Sequence, residues 1–426
     1  MFECELPFDH KTLHLELEDK NFAGVMEGHQ NEFKTTKSQE ELVEESLANP
    51  YGSPSLEELC AGKKDIVIIS SDHTRPVPSR VTMPILLHHI HSAAPEARVR
   101  ILVATGMHRP STHEELVNKY GEEIVANEEI VMHVATDDSM MKKIGTLPSG
   151  GECIINKIAA DCDLLLAEGF IEPHFFAGFS GSRKSVLPGI ASYKTIMYNH
   201  NGQFVNDSHS RAGNLCHNHV SEDMFAAAEM AHLAFVLNVV LNGKHEVIGS
   251  FAGDIHKAHE AGCEFVKSLA GVEPVECEIA ITTNGGYPLD QNIYQSVKGM
   301  TAAEASCNPG GVIIMVSSCI DGHGGQSLYD TFASGGDKNV IMQRFLDTPR
   351  DKTIPDQWEA QILCRVLMHH KVIMVTQAPK QLVNDMQMDY AESVDEAIRM
   401  ADAYLGKADS KITVIPDGVS VIVRRK

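Results

Sequence analysis

The stretch DIVIISSDHTRP, residues 65–76, joins a short apolar run to a polar cluster, and the same arrangement returns at residues 99–110. A third apolar run, residues 163–167, leads directly into another polar segment. Short runs rich in branched apolar side chains are typical of strands buried on both faces of a parallel sheet. Helical patterns follow the first two runs. The sequence therefore predicts an α/β fold with doubly wound, mostly parallel sheets.

A second series of alternating elements begins beyond residue 274. Strand-like runs at 278–282, 312–317 and 372–376 are separated by helical patterns at 291–305 and 357–369. We therefore predict two α/β domains, residues 1–270 and 275–404, with the active site in the crevice between them. Gly271–Pro274 is the predicted linker and hinge. The tail, residues 405–426, has two apolar runs around a Pro-Asp-Gly turn and is predicted to form strands that can pack back on the first domain.

Composition limits the classes of function. The 426 residues carry a formal net charge of −22 and no block of Lys and Arg, so we expect no nucleic-acid partner. The 10 cysteines form no C-x-x-C pair, which argues against a zinc ribbon or a disulfide framework. The sequence also lacks the apolar run of a signal peptide or a membrane span, so the predicted location is the cytoplasm, with no membrane partner.

The most chemically capable segment is IEPHFFAGFSGSRKSVLPGIASYKTIMYNH, residues 171–200. Its glycines, Gly178 and Gly181, allow backbone N–H groups to turn toward an anion, and its hydroxyls and cations would add contacts to a phosphate. Two histidines flank the loop. We predict an active-site loop whose polar members are Ser180, Ser182, Ser185, Arg183, Lys184, His174 and His200.

Part of this loop approaches a P-loop. Residues 178–185 read GFSGSRKS, but Arg183 occupies the position where the G-x-x-x-x-G-K-[ST] pattern requires glycine. An arginine cannot adopt the wrapped backbone as easily as glycine does. We therefore disfavour an ATPase.

Polar side chains follow all three predicted strands of the first domain. In open α/β sheets, ligands bind beyond the carboxyl ends of the strands, so we expect these side chains to converge. A further predicted helix places Tyr294, Gln295 and Lys298 on one face, because they are three and four residues apart. The side chains at the three strand ends are Asp72 and Arg75, His108 and Arg109, and His174 and Lys184.

Four motifs carry a resemblance to a known family: SSDHTRPVPS from residue 70, GMHRPST from 106, EPHFFAGFSGSRKSVLPGIASYKTIM from 172 and NGGYPLDQNIYQSVKGM from 284. With these motifs the chain resembles the nickel-pincer-nucleotide-dependent lactate racemases, a family of 2-hydroxy acid racemases, over nearly its whole length. The resemblance implies a cofactor derived from nicotinic acid mononucleotide, whose pyridinium ring carries two sulfur-bearing arms and a nickel ion. It also implies partner proteins that make this cofactor.

Carried over by position, the resemblance implies that Lys184 anchors the cofactor covalently and that His200 is the protein ligand of nickel. An imidazole suits Ni(II) in a tetragonal site. We further expect Ser180, Ser182 and Asp72 to contact the cofactor, and Asp72 to orient either Arg75 or a histidine. Ser182 stands where we expect the family's glycine, and Pro173 precedes His174, which restricts the backbone there.

The resemblance assigns the chemistry to His108 and His174 as paired acid/bases. Arg75 and Lys298 would hold the substrate carboxylate, with Tyr294 and Gln295 as hydrogen-bonding groups. The family reaction transfers a hydride from lactate to the cofactor, forms pyruvate and returns the hydride to the opposite face.

Physical chemistry favours the same outline. The Cα–H of a 2-hydroxy carboxylate is a very weak acid, whereas removal of the hydrogen as hydride needs an acceptor and a base for the hydroxyl. Inversion calls for a base on each side, and imidazole titrates near neutral pH.

Three alternatives remain open. A racemase or epimerase of another 2-hydroxy acid would use the same cofactor, and a dicarboxylic substrate would want a further cation such as Arg109. An NAD-dependent dehydrogenase is disfavoured because no G-x-G-x-x-G follows a predicted strand. A non-catalytic nucleotide-binding protein would keep the loop without needing both His108 and His174.

Overall fold

The computed structural model describes residues 1–424, and the chain falls into two compact units. The N-terminal unit comprises His29–His200 and His209–Leu269. The C-terminal unit comprises Met1–Gly28, Asn201–Ser208 and the chain from Ala270 onward.

Strands and helices alternate through most of the described chain. The strands are β1 Phe2–Phe8, β2 Lys11–Leu17, β3 Phe22–Val25, β4 Asp65–Ser71, β5 Arg98–Ala104, β6 Glu129–Met132, β7 Met141–Thr146, β8 Glu152–Asn156, β9 Leu164–Phe170, β10 Pro173–His174, β11 Gly178–Phe179, β12 Leu233–Leu241, β13 Val247–Gly253, β14 Gly271–Val272, β15 Cys277–Thr283, β16 Cys307–Val316, β17 Lys371–Val375, β18 Asp389–Ala391, β19 Ile412–Ile415 and β20 Ile422–Val423. The α-helices are α1 Gln39–Ala48, α2 Leu56–Cys60, α3 Ser79–Ala93, α4 His113–Tyr120, α5 Glu122–Asn127, α6 Lys157–Asp161, α7 Tyr193–Asn199, α8 Gly202–Asn206, α9 His219–Met230, α10 Lys257–Ala270, α11 Ile293–Glu304, α12 Gln326–Ala333, α13 Lys338–Asp347, α14 Gln357–His369, α15 Lys380–Asp385 and α16 Val394–Leu405. Short 3₁₀ helices lie at Asp138–Met140, Ser182–Ser185 and Arg350–Lys352.

The N-terminal unit is built on a six-stranded sheet in the order β13-β12-β9-β4-β5-β6. All neighbouring strands are parallel except β12 and β13, which are antiparallel. The chain moves outward from β4 through β5 to β6 and then returns to β9 on the other side of β4. Connections diverge at the carboxyl ends of β4 and β9, which is where ligands bind in such sheets.

A buried carboxylate fixes the start of α3 next to these strand ends. Glu168 on β9 accepts hydrogen bonds from the hydroxyls of Ser70, Ser79 and Thr82. Around it, the apolar side chains of β4, β5 and α3 form a continuous core that includes Ile68. The segment between β4 and α3 is thus held at both ends.

The C-terminal unit contains a second six-stranded sheet, in the order β18-β17-β16-β15-β19-β3. All of its neighbouring strands are parallel. One face packs on α16 and the β1–β2 hairpin, and this core includes Ile279, Ile281 and Ile314. The prediction of α/β domains with mostly parallel sheets is confirmed in both units.

The domain limits differ from those predicted. Residues 1–28 do not group with residues 29–270, because β3 pairs with β19 at one edge of the second sheet. The tail also belongs to the C-terminal unit, since β19 lies between β15 and β3, and β20 pairs with β14. Because β14 is formed by Gly271 and Val272, half of the predicted linker is hydrogen-bonded strand.

Two expectations on composition can be compared with the structure. All 10 cysteines are free thiols. Among the helices of residues 1–424, none combines the length and the apolar character that crossing a bilayer requires.

Candidate active site

The loops after β4 and β5 meet through a hydrogen bond between two predicted site residues. His108 Nδ1 lies 2.7 Å from Asp72 Oδ2. The Asp72 side chain is almost completely buried, whereas the His108 side chain is 44% exposed. Burial raises the pKa of Asp72, but the hydrogen bond and charge of His108, together with Thr74 and Arg75, outweigh it and lower the pKa to about 2. Asp72 is therefore a permanent carboxylate that orients His108.

Thr74 completes this cluster, although the sequence analysis did not select it. Its backbone N–H and its hydroxyl donate to Asp72 Oδ1 at 3.0 and 2.6 Å. Its hydroxyl in turn accepts from Arg75 Nη1 at 3.1 Å. Thr74 could have been predicted from its position, because it follows a strand end and lies between the predicted site residues Asp72 and Arg75.

Arg75 is exposed and keeps most of its donors for other partners. Within residues 1–424 its guanidinium donates to Thr74 only, at the hydroxyl and the backbone carbonyl. Within residues 1–424 it forms no salt bridge with a carboxylate. A guanidinium in this state can take a carboxylate in bidentate fashion.

Arg109 is engaged differently. Its guanidinium forms a two-pronged ion pair with Glu115, which also closes the capping box of α4 with Thr112. The charge of Arg109 is thereby matched within the protein. This pairing disfavours the idea that Arg109 serves a second carboxylate of a dicarboxylic substrate.

The loop after β9 begins with a tight hairpin. Strands β10 and β11 pair His174 with Gly178, and the backbone N–H of Ala177 donates to His174 Nδ1 at 3.2 Å. Gly178 has φ +80°, and a Cβ there would lie 2.3 Å from the carbonyl oxygen of Asn214. This glycine is therefore required by the protein's own packing.

The ring of Phe176 is the common neighbour of three predicted site residues. Its centroid lies 4.7 Å from the ring of His174 and 5.3 Å from the ring of His200, both edge to face. The ammonium of Lys184 lies over its face at 5.9 Å. Because Phe176 is buried, it fixes the spacing of these groups.

His200 lies at the end of α7 and is only 5% exposed. Burial, together with the nearby charge of Lys184, lowers the pKa of His200 to about 3. The imidazole is therefore neutral at physiological pH, which is the form that can donate a lone pair to a metal.

Ser180 and Ser182 bond to the protein itself. The Ser180 hydroxyl donates to the carbonyl of Phe170 and accepts from the N–H of Glu172. The Ser182 hydroxyl donates to the carbonyl of Ile255, and its backbone adopts φ +46°. Both hydroxyls shape the loop, and contact of either residue with a cofactor stays a prediction.

Arg183 is completely buried and acts as an internal clamp. Its guanidinium donates to the carbonyls of Ala177 and Phe179 at 2.9 and 3.0 Å, to the hydroxyl of Ser221 and to the ring of His259. The expectation that this side chain faces a phosphate is therefore wrong, because its donors are used inside the loop. These distant partners could not be predicted from the sequence around Arg183.

A backbone contact joins the two loops that carry the predicted histidines. The N–H of Gly106, two residues before His108, donates to the carbonyl of Gly189 at 2.9 Å. His108 follows β5 and His174 follows β9, the two strands on either side of β4. The hydrogen bond from Gly106 to Gly189 joins the loops that carry them. Their separation across a substrate stays a prediction.

The C-terminal unit holds a second polar cluster at the start of α11. Lys298 Nζ donates to Gln295 Oε1 at 2.6 Å, and Trp358 Nε1 donates to the Tyr294 hydroxyl at 3.1 Å. Asn284 fixes the preceding loop by donating to the carbonyl of Gln295. Three of the four predicted substrate-binding residues therefore lie on one helix, and their approach to the N-terminal unit stays a prediction.

Within residues 1–424, one group of potential metal ligands is clustered, with ligand atoms within 4.8 Å of one another: Glu3, His14 and Glu16. All three are exposed on the β1–β2 hairpin. Exposed acidic groups of this kind are common without a metal, and the cluster does not contain His200.

Known proteins match the whole chain. A family model for the lactate racemase N-terminal domain matches residues 8–213, and one for the lactate racemase C-terminal domain matches residues 272–423. The lactate racemase of Lactiplantibacillus plantarum is 59% identical over 425 residues, and that of Thermoanaerobacterium thermosaccharolyticum is 51% identical over 427 residues. Each alignment covers 100% of both chains.

Solved structures agree. The lactate racemase apoprotein from T. thermosaccharolyticum superimposes with a TM-score of 0.96 at 50% identity, covering 100% of both chains. A Thermotoga maritima protein at 18% identity shares the fold, with a TM-score of 0.62 over 88% of this chain and 100% of its own. By these matches, which extend over both units, the chain belongs to the lactate racemase family and is an isomerase.

Proposed function

We propose that this chain interconverts D- and L-lactate and that it does so with a nickel-pincer nucleotide attached to Lys184. The observation that carries the proposal is the cluster around Phe176, in which one buried ring contacts His174, Lys184 and His200. An acid/base, an amine and an imidazole held around one aromatic ring have no evident purpose in stability. The full-length similarity to two lactate racemases supports the same activity.

The residues present fit the implied cofactor. Lys184 is half-buried on a rigid turn and offers an amine for a covalent bond, while His200 offers a nitrogen ligand of the type that suits nickel. When bound, such a cofactor supplies an electron-poor ring that can take the hydrogen on Cα as hydride. The chain itself has to bind lactate, move the hydroxyl proton and exclude water.

His108 is suited to take the hydroxyl proton. Because its Nδ1–H donates to Asp72, Nε2 is the ring nitrogen with a free electron pair. In neutral His174 the pattern is reversed, since Nδ1 accepts from the N–H of Ala177 and Nε2 carries the hydrogen. A racemase needs one group that accepts a proton and one that donates it, and the two tautomers supply both capacities.

Arg75 and Lys298 are suited to the lactate carboxylate. Arg75 presents an exposed guanidinium that Thr74 orients, and Lys298 presents an ammonium that Gln295 orients. Tyr294 and Gln295 add polar groups that can hold the hydroxyl of lactate.

The test is a set of variants made in cells that synthesise the cofactor. We expect the wild-type chain to carry an adduct by intact mass, to contain nickel and to racemise lactate. Lys184→Arg should lose the adduct, and His200→Ala should keep the adduct but lose most of the nickel. Lys194→Ala, a change at an exposed lysine, is the control and should keep both. Unmodified protein with full activity would refute the covalent assignment.

An isotope experiment tests the chemistry. The histidines are proposed to move only the hydroxyl proton, so D-lactate incubated with holoenzyme in D₂O should give L-lactate that retains hydrogen at Cα. Substantial deuterium at Cα would show that the reaction proceeds by proton abstraction.

A further inference from the structure

Glu359, the third residue of α14, has a carboxyl group without a hydrogen-bond partner among residues 1–424. It is completely buried, and neither of its oxygens accepts a hydrogen bond from any residue in the described part of the chain. Buried carboxylates are normally paired or hydrogen-bonded, because an ionised carboxylate without donors is costly to bury. An isolated carboxyl group in the core of a helix interface therefore needs an explanation.

The charge of one residue of the proposed substrate site acts on Glu359. Lys298 projects from α11, which packs against α14, and its charge acts on Glu359. The Lys298 ammonium donates a hydrogen bond to the amide oxygen of Gln295, an acceptor that carries no formal charge. Glu359 is thus a buried acid whose ionisation is coupled to the charge of a lysine that is proposed to bind substrate.

Few other charges act on Glu359. Asp356, just before α14, opposes ionisation of Glu359, whereas Lys298 favours it. Elsewhere on the α11–α14 contact, Glu304 and Arg365 form a closed two-pronged pair. The helix α8 carries no ionisable side chain. The described elements packed against α14 carry other ionisable side chains, and none of them is among the main causes of the raised pKa of Glu359: Tyr294, Tyr329, Asp330, Lys338, Arg344, Asp347 and Cys307.

Burial dominates this balance. It raises the pKa of Glu359 to about 8, against the opposing effect of Lys298. Glu359 is therefore neutral at physiological pH and ionises in mildly alkaline solution. While it is neutral, it does not compete with a bound anion for Lys298.

We propose that Glu359 is a positioning residue that controls how strongly Lys298 attracts the substrate carboxylate. The neutral carboxyl group leaves the charge of Lys298 to the substrate, and the ionised group takes that charge as an internal salt bridge. This inference rests on the proposed function, because it assumes that Lys298 binds the carboxylate of lactate.

The first test follows the KM of the holoenzyme for each lactate enantiomer between about pH 6 and pH 10. Lactate stays ionised throughout, so its own charge does not change. In the wild type, KM should rise by up to about tenfold for each pH unit above the pKa of Glu359. In Glu359→Gln, which cannot ionise, the same alkaline rise should be absent.

Two further variants serve as controls, one for the choice of replacement at Glu359 and one for the loss of an acidic group elsewhere in the unit. Glu359→Met is a second neutral replacement, which the helix interface should accept because Glu359 forms no hydrogen bonds to described residues. Asp402→Asn is the matched control, since Asp402 also has an oxygen without a partner in residues 1–424 but lies on α16, which shares its core with the β1–β2 hairpin. The control should keep the wild-type rise in KM.

Infrared spectroscopy of the apoprotein gives a readout that does not depend on activity. Wild-type protein at neutral pH should show the C=O band of a buried carboxylic acid, and that band should be lost in alkaline solution and absent from Glu359→Gln. A missing band, or KM profiles that run parallel in wild type and Glu359→Gln, would overturn the proposal. If the holoenzyme racemises no lactate at any pH, the proposed function fails and takes this inference with it, whereas racemisation with parallel profiles overturns the inference alone.

Discussion

The imidazole of His108 and the carboxylate of Asp72 form a 2.7 Å hydrogen bond that joins the loops after two neighbouring strands, β5 and β4. With a pKa of about 2, Asp72 stays ionised wherever a histidine titrates. It therefore holds the hydrogen of His108 on Nδ1 and leaves Nε2 to accept a proton. The same carboxylate is anchored by both donors of Thr74.

Replacing Asp72 by asparagine should lower kcat about 100-fold or more, because an amide can donate to Nδ1 and so stabilise the wrong tautomer of His108. Because the two enantiomers are equally stable, the equilibrium constant of racemisation is one. The values of kcat/KM for D- and L-lactate must therefore fall by the same factor in any variant. Both directions can be followed by chiral chromatography. Thr74→Val, which keeps the pair but removes one donor to Asp72, should have a smaller effect. An unchanged kcat in Asp72→Asn would exclude the orienting role.

Phe176 should affect stability and activity together. Truncation to alanine removes a buried ring and should cost about 3–5 kcal/mol of unfolding free energy. Phe176→Leu keeps most of the apolar volume but offers no aromatic ring to the edges of His174 and His200 or to the Lys184 ammonium. It should therefore cost less stability and still reduce cofactor content. Denaturant unfolding and nickel analysis measure the two effects. Full nickel content in a stable leucine variant would show that the ring is only filling space.

Much of the fold could be predicted because short apolar runs alternate with helical patterns. The strands that position Asp72, His108 and His174 were predicted within a few residues of their observed bounds. Pairing between strands that are distant in sequence could not be predicted, because the residues of a strand such as β3 do not indicate which other strand it pairs with. Its place beside β19 is decided by which sheet edge remains open.

In the candidate site, too, local features were predictable and long-range contacts were not. Residues that follow strand ends were recognisable from local sequence, whereas the partners of the loop were not. Arg183 is held by Ser221 and His259, which lie 38 and 76 residues away along the chain. Without those partners, the glycines, serines and cations of this loop predict a phosphate-binding site. Glu359 likewise gave no signal, since one glutamate on a helix is ordinary until its burial is known.

Arg183 and Arg109 should respond to substitution in opposite ways. Arg183→Lys leaves several buried acceptors without donors and should destabilise the protein by about 3 kcal/mol or more. Arg109→Ala removes an ion pair whose arginine side chain is 58% exposed, so its effect on stability should be small. Thermal unfolding of both variants checks this. Equal stability losses would mean that the buried clamp is not what holds the loop.

Glu359 should leave a signature in the pH dependence of stability as well as in KM. Its pKa of about 8 in the folded chain lies above the ordinary value of 4.5, so the folded protein binds the proton more tightly than the unfolded chain does. The unfolding free energy contributed by Glu359 is therefore largest in acid and declines as pH rises between about 4.5 and 8.

Glu359→Gln does not titrate and should lack this decline. Its unfolding free energy relative to the wild type should rise with pH by several kcal/mol between about pH 5 and pH 8, because each pH unit corresponds to about 1.4 kcal/mol while the two states differ in protonation. Urea unfolding at matched pH values measures the difference, with Asp402→Asn as the parallel control. A constant difference across this interval would mean that Glu359 is already ionised in the folded chain, in a salt bridge with Lys298.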